Sequence, residues 1–285
     1  NLLTNGIDIP NSELISGWDA IGYIANIDKY QAASAAEGHI ANRIDEDGVL
    51  RTLPLIMQSE KKLYPAFSLK VAQLYLHEMS YQLMIGEHNG KPIYNGIQLG
   101  KQRIPTDARG QILIPYQTEL NKIRHISASD ILAAKKFPEL ENAIVIIDSS
   151  SNSVGAKKST PVRADMAEFE IQALAIHGLL HPETLWYKPV WAYQLTAVEL
   201  LLLTLIIIIL YPLCRPHYLL VVGGLLSATL IISHYLLHEQ WQTYISVATP
   251  LLLIASITLF FLIAGLFYEN RSRTQLQYRF GQYVP

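Results

Sequence analysis

Three long apolar stretches near the carboxyl end restrict the fold of this 285-residue chain more than any other feature. They cover residues 190–213, 218–237 and 244–267. Each supplies the ~20 residues that a helix needs to cross the ~30 Å hydrocarbon core of a bilayer. The sequence therefore predicts three transmembrane helices within residues 186–268, with the lipid bilayer as a partner.

The basic residues around these stretches indicate which way the helices cross. Arg215 lies in the turn between the first and second stretches, and three arginines follow the third stretch. The turn between the second and third stretches carries Glu239 and no Lys or Arg. Cytoplasmic segments are enriched in Lys and Arg, and such short turns make neighbouring helices antiparallel. We therefore expect residues 1–189 to be periplasmic or extracellular. The carboxyl end is then cytoplasmic, as in a multi-pass protein of the inner membrane.

Glu199 is a carboxyl group inside the first apolar stretch. It precedes Arg215 by 16 residues, about 24 Å along a helix. His234 follows His217 by 17 residues, about 26 Å, so Glu199 and His234 are expected at similar depth. Ionisable groups at such depth usually face the bundle and find a partner. We predict a contact between Glu199 and His234. The alternatives are a contact between Glu199 and His238, or a Glu199 side chain that extends to the nearby membrane surface.

The part that precedes the apolar stretches reads as one soluble domain, residues 1–185. Residues 1–189 carry 18 Lys and Arg against 21 Asp and Glu, a net charge of −3 without a basic stripe, so no nucleic-acid partner is expected. The only cysteine is Cys214, which excludes an intrachain disulfide. The pairs His177/His181 and His234/His238 lack further ligands in sequence, and we expect no metal, no cofactor and no catalytic site.

Strand and helix patterns alternate within this domain. The mixture predicts an α/β fold with a mixed sheet. The predicted strands are residues 20–27, 51–58, 93–99, 102–105, 111–116 and 143–148, and the predicted helices are residues 65–79, 127–136 and 165–180.

An acidic turn precedes the second predicted strand and supplies the candidate ligand contacts. Asp45 and Asp47 flank the turn, which ends at Gly48, and Arg51 follows. Arg51 either forms a surface ion pair with one of these aspartates or, together with Arg103, contacts an anionic or polar ligand. The ligand itself is left unknown by the sequence.

Eight positions around the acidic turn and before the following helix form a motif set: Gly38, Asn42, Asp45, Asp47, Gly48, Arg51, Tyr64 and Pro65. They supply a glycine and an asparagine in GHIAN, an Asp-x-Asp-Gly-x-x-Arg turn and a Tyr-Pro-small sequence before a helix. With these motifs residues 20–182 resemble the second subfamily of CHASE-type extracellular sensory domains. The family's Gly-x-x-Ala reads differently here, with Asp148 and Ser149. The resemblance implies a sensory domain followed by three spans, and an amino-terminal span that lies upstream of Asn1.

Residues 269–285 are predicted to continue the third span as a cytoplasmic connector. Their last seven residues, RFGQYVP, resemble the junction that precedes class III nucleotide cyclase domains in similar receptors. The resemblance implies the input region of a bacterial adenylate or guanylate cyclase that acts as a homodimer. A histidine or serine/threonine kinase output, a small membrane transport protein and an outer-domain hydrolase are the alternatives.

Overall fold

A computed structural model of the chain describes residues 7–8, 18–22, 24–59, 62–117, 123–133, 136–149 and 157–280. The chain divides into two compact units, Asn1–Tyr187 and Lys188–Pro285. The first unit combines strands with short helices, and the second is built from long helices.

Twelve strands and four α-helices are described in the first unit. The strands are β1 (Ile7–Asp8), β2 (Trp18–Asp19), β3 (Arg43–Ile44), β4 (Leu50–Pro54), β5 (Ile56–Ser59), β6 (Lys62–Pro65), β7 (Tyr81–His88), β8 (Lys91–Leu99), β9 (Gln102–Ile104), β10 (Gln111–Leu113), β11 (Lys157–Lys158) and β12 (Met166–Ala167). The helices are α1 (Asp28–Ala33), α2 (Phe67–Tyr75), α3 (Ala128–Leu132) and α4 (Glu168–Leu180).

These strands form several small sheets. One sheet has the order β1-β6-β5-β2, a second β10-β4-β3 and a third β7-β8-β9, while β11 pairs with β12. All pairings are antiparallel except that of β2 with β5, where Trp18 lies opposite Met57. The predicted α/β fold with parallel and antiparallel strands is confirmed.

The core of the first unit lies where helices α2 and α4 pack against each other and against the sheets. Leu69 of α2 and Leu174 of α4 are fully buried. Helix α2 ends before His77, whose φ of 56° is left-handed and stops the helix short of the predicted residue 79. The largest strand contributions to the core come from Leu50, Leu53, Leu55, Ile56, Ile97, Leu99, Ile104 and Ile112.

Gly38 permits a close backbone approach in front of helix α2. The amide of His39 donates to the Pro65 carbonyl at 3.0 Å, and the Phe67 amide donates to the His39 carbonyl at 2.8 Å. A Cβ on Gly38 would lie 2.5 Å from the backbone nitrogen of Phe67. The motif glycine Gly38 is therefore explained by packing alone.

Two predicted strands are wrong. In the predicted strand 20–27, residue 23 lies outside the described residues, the others form no strand, and Ile21 and Ile24 are fully exposed. Residues 143–148 form no strand, and Val145 and Ile147 are exposed. The Ala20 amide donates to the Gln58 carbonyl at 2.7 Å, but within the described part of the chain neither segment forms a ladder of hydrogen bonds, and an apolar run without one does not remain a strand.

The remaining predictions match elements with shifted bounds. The predicted strand 51–58 is divided at Leu55 into β4 and β5, and helix 165–180 begins at Glu168. Strand β7 was not predicted, although it forms a long hairpin with β8. The hairpin turn is Asn89-Gly90, with φ of 53° and 75°, as a two-residue turn between twisted strands requires.

The second unit contains three long helices. They are α5 (Ala192–Leu210), α6 (Pro216–Trp241) and α7 (Ala248–Phe280). The segments Ala192–Leu213, His217–Trp241 and Ala248–Tyr268 are long and apolar enough to cross a membrane. The three predicted spans are thus present as helices, and the chain is a membrane protein.

Helix α7 packs against both α5 and α6. At their contact the Tyr211 hydroxyl lies 2.6 Å from Thr258 Oγ1, and Thr258 in turn donates to the Ile254 carbonyl at 2.5 Å. Gly223 of α6 lies beside this pair, since a Cβ there would be 2.8 Å from Thr258 Oγ1. Gly224, the adjacent glycine, has nothing within 4 Å of such a Cβ.

Replacement of these adjacent glycines by alanine has opposite expected effects. Gly223→Ala should destabilise the helical unit, because overpacking a tight contact typically costs about 1–3 kcal/mol. Gly224→Ala is the matched control and should leave stability unchanged or raise it, since alanine favours a helix by about 0.5–1 kcal/mol over glycine. Thermal unfolding of both variants in the same nanodiscs measures the difference. Equal melting temperatures would contradict the close α6–α7 contact.

Candidate ligand-contact and intramembrane sites

Arg51 is held by both aspartates of the acidic turn. Its guanidinium nitrogens lie 2.7 Å from Asp45 Oδ2 and 2.7 Å from Asp47 Oδ2. The hydrogen bond from Arg51 lowers the pKa of Asp47 to about 2, and its aspartate partners raise the pKa of Arg51. Asp47 Oδ1 also accepts from the Val49 amide at 3.1 Å. These contacts engage the charged groups of the turn with one another.

Arg103 lies on a different sheet from Arg51. It is exposed on strand β9 and donates through Nη2 to the Asn95 carbonyl at 3.4 Å. No contact between Arg103 and Arg51 occurs among the described residues. The structure therefore does not assemble the four candidate ligand residues into one site.

Asn42, the motif asparagine that follows Gly38, contacts a residue that sequence reasoning missed. Its Nδ2 lies 2.7 Å from both carboxylate oxygens of Glu168, and Gln172 donates to the same carboxylate at 3.1 Å. Glu168 begins helix α4, where a negative charge is favoured by the helix dipole. This contact fixes the motif loop to α4 across more than a hundred residues of sequence.

Trp18 carries two arginines on its indole ring. The Cζ of Arg43 lies 4.1 Å from the ring centroid and the Cζ of Arg109 lies 4.8 Å from it. Arg43 belongs to strand β3, and Arg109 lies in the turn before β10, at the opposite edge of the same three-stranded sheet. No sequence spacing signals this cluster, since its members come from three separate segments.

The structure brings Glu199 and His234 together inside the helical unit. Their Oε2 and Nε2 atoms lie 3.6 Å apart, and the side chains are 19% and 6% exposed. His234 Nδ1 lies 3.1 Å from the Leu230 carbonyl, which favours the tautomer with the proton on Nδ1. Nε2 then faces the carboxylate as a second acceptor, and neither Nε2 nor Glu199 Oε2 has a hydrogen-bond partner among the described residues. His238, the alternative partner, has its Nδ1 3.2 Å from the Thr243 carbonyl.

The other histidine pair gives a ring contact. The centroids of His177 and His181 are 4.7 Å apart, and His181 Nδ1 lies 3.3 Å from Glu183 Oε1. Among the residues that the structure describes, no three His, Cys, Asp or Glu side chains converge as metal ligands.

Comparison with protein-family models identifies one match, to the CHASE2 domain, over residues 6–210. The matched region covers more than half of the chain and extends from the strand-rich unit to the end of helix α5. Searches of the curated proteins and of the solved structures give no match.

The Glu199–His234 contact predicts non-additive mutations. Either Glu199→Leu or His234→Leu alone should destabilise the helical unit by about 1–3 kcal/mol, because a buried polar group loses its partner. The double variant should lose less than the sum, since a buried polar pair replaced by apolar groups of similar volume is often tolerated. Unfolding of the single and double variants in nanodiscs gives the coupling free energy.

Glu239 provides the matched control for this cycle. It is an exposed carboxyl of α6 that accepts from the Tyr235 hydroxyl at 3.2 Å. Glu239→Leu combined with His234→Leu should be additive within about 0.5 kcal/mol, as independent sites are. The same additivity for Glu199 and His234 would show that the pair makes no energetic contribution.

Proposed function

The chain belongs to the CHASE2 domain family, and we propose that it is the sensory and transmembrane input region of a bacterial receptor with a nucleotide cyclase output. A sensory domain joined to membrane-spanning helices fits the input side of a signalling receptor. The cyclase output rests on the resemblance of the RFGQYVP junction, of which residues 281–285 lie outside the described residues.

Helix α7 is the observation that carries the proposal. It runs without interruption from Ala248 to Phe280, whereas its membrane-spanning segment ends at Tyr268. The 12 further residues extend the helix by about 18 Å. A single rigid element thus leads from the bundle to the proposed junction, and its rotation or shift at one end is passed to the other.

The proposed mechanism is a shift between two states. A ligand or partner that binds one conformation of the sensory domain more tightly raises the population of that conformation. Because α7 packs against both α5 and α6, a rearrangement of either helix changes the position of α7. Such helix shifts of about 1–2 Å are a common form of allosteric transition. The output domains are proposed to respond as a homodimer.

The proposed orientation places residues 1–189 outside and the connector in the cytoplasm. It is supported by Arg215 in the first turn and by the arginines that follow the third span. A bacterial inner membrane is the proposed location. A ligand in the outer compartment then reaches the sensory domain without crossing the bilayer.

Cysteine labelling tests this orientation. Glu46 is exposed in the acidic turn, and Glu46→Cys in a Cys214→Ser background should react with a membrane-impermeant maleimide in intact cells. The native Cys214, in the turn between α5 and α6, is the matched control and should react only after permeabilisation. Mass shift on a gel reports both reactions. The reverse pattern would refute an outer sensory domain.

Insertions into the connector test the coupling and the output. The chain is fused through residue 285 to a class III cyclase catalytic domain, and alanines are inserted after Tyr268. One added residue rotates the following helix by about 100°, whereas seven nearly restore the phase. Cyclic nucleotide formation in membranes should change severalfold with one or two insertions and return towards the parent value with seven.

The same insertions placed after residue 285 serve as the control for altered length alone. Activity that is independent of every insertion would contradict a rigid connector. Two findings together would favour a kinase output over the cyclase output: a fusion that shows no cyclase activity, and a kinase domain encoded after Pro285.

A further inference from the structure

The Trp18 cluster, defined as Trp18, Arg43 and Arg109, concentrates positive charge on one aromatic ring. Both guanidinium carbons lie within 5 Å of the indole centroid, at 4.1 and 4.8 Å. Arg43 and Arg109 are exposed, while Trp18 is half-buried. Each cation is attracted electrostatically to the face of the ring, so the indole holds together two groups of like charge.

Arg43 and Arg109 differ from two other arginines of the unit in their contacts with carboxylates. Arg51 binds Asp45 and Asp47, and Arg163 binds Asp165 and Glu170. Among the described residues no carboxylate lies within ion-pair distance of Arg43 or Arg109. Within that part of the chain the lack of an ion-pair partner is a property of the cluster, since 21 Asp and Glu occur in the first 189 residues.

Asp107 is the carboxyl group beside Arg109 in sequence, and its hydrogen bonds are directed elsewhere. Its Oδ1 accepts from the backbone amides of Arg109 and Gln111, each at 2.9 Å, and its Oδ2 accepts from the Gln111 side chain at 3.0 Å. Burial raises the pKa of Asp107. The aspartate therefore shapes the turn that presents Arg109. Its hydrogen bond to this residue goes to the backbone amide, while the guanidinium attracts the carboxylate only through charge.

The hydrogen-bond donors of both arginines are available, since among the described residues neither guanidinium donates to another group. A guanidinium that lies over an aromatic face directs its five N–H groups outward in its own plane, where they match the oxygens of carboxylate or phosphate. Such charge-assisted, bidentate bonds are about twice as strong as neutral ones. An anion at the cluster would also relieve the repulsion between the two cations.

We propose that the Trp18 cluster is a binding site for a small oxyanion with at least two negative charges, such as a phosphate group or a dicarboxylate. Arg43 and Arg109 bind its oxygens, and Trp18 positions both guanidiniums. That this anion is the signal of the receptor rests on the proposed function, whereas its binding does not.

Anion binding is measured on the full chain in nanodiscs, with inorganic phosphate and malonate as separate titrants at constant ionic strength balanced by chloride. A ligand that binds only the folded state raises its stability in proportion to ln(1 + [L]/Kd). We expect a saturable rise in melting temperature with at least one of the two anions. Arg43→Gln and Arg109→Gln should each weaken the apparent affinity at least tenfold, and Arg43→Lys, which keeps the charge without the planar fork, should weaken it less.

Lys101→Gln is the matched control, because Lys101 is an exposed cation in the turn between β8 and β9 and lies outside the cluster. It should bind the anion as the parent does. A response to phosphate alone or to malonate alone supports the site and identifies the anion class. A shift that does not saturate, or one that Arg43→Gln and Lys101→Gln change equally, would overturn it.

Binding and signalling fail in distinguishable ways. In one case the anion binds saturably and the Arg43 and Arg109 variants lose this binding, but the activity of the cyclase fusion is the same with every insertion. This result would contradict the proposed output and support the anion site. Absence of binding, with a fusion that responds to helix phase, would remove the site and leave the receptor.

Discussion

The absence of water in a bilayer is the constraint on which the helical unit depends. Every backbone N–H and C=O group in the hydrocarbon core must find a partner inside the protein, and a helix satisfies them within one segment. Helices α5, α6 and α7 meet this requirement over Ala192–Leu213, His217–Trp241 and Ala248–Tyr268. Many of their apolar side chains remain exposed, as Leu201, Ile232 and Phe260 do, which suits a lipid-facing surface.

The same constraint governs the polar side chains of these helices. The hydroxyl groups of Thr204 and Thr229 donate hydrogen bonds to backbone carbonyls one turn earlier in their own helices, at 2.7 and 2.9 Å. The Tyr211–Thr258 and Glu199–His234 contacts instead join different helices. A polar group without water is satisfied by its own helix or by a neighbour, and only the second choice couples the helices.

The motif residues of the strand-rich unit have structural roles in this chain. Gly38 permits backbone contact with the start of α2, Asn42 binds Glu168 of α4, and Arg51 closes the acidic turn. Each acts within the fold through a contact with another part of the same unit. Arg43 and Arg109, which the family motif does not contain, lie over Trp18 with no carboxylate within ion-pair distance among the described residues.

Apolar run length and charge by themselves determined the three spans, because a bilayer-crossing helix needs no partner to satisfy its backbone. Local rules likewise predicted α2 and α4 and the depth match of Glu199 with His234. Only the tertiary structure decided which apolar runs became strands. Residues 143–148 are as apolar as β4 but form no strand, whereas β7 pairs along its whole length with β8. A strand depends on hydrogen bonds to residues distant in sequence, and the meeting of Arg43 and Arg109 on Trp18 depends on the same long-range pairing.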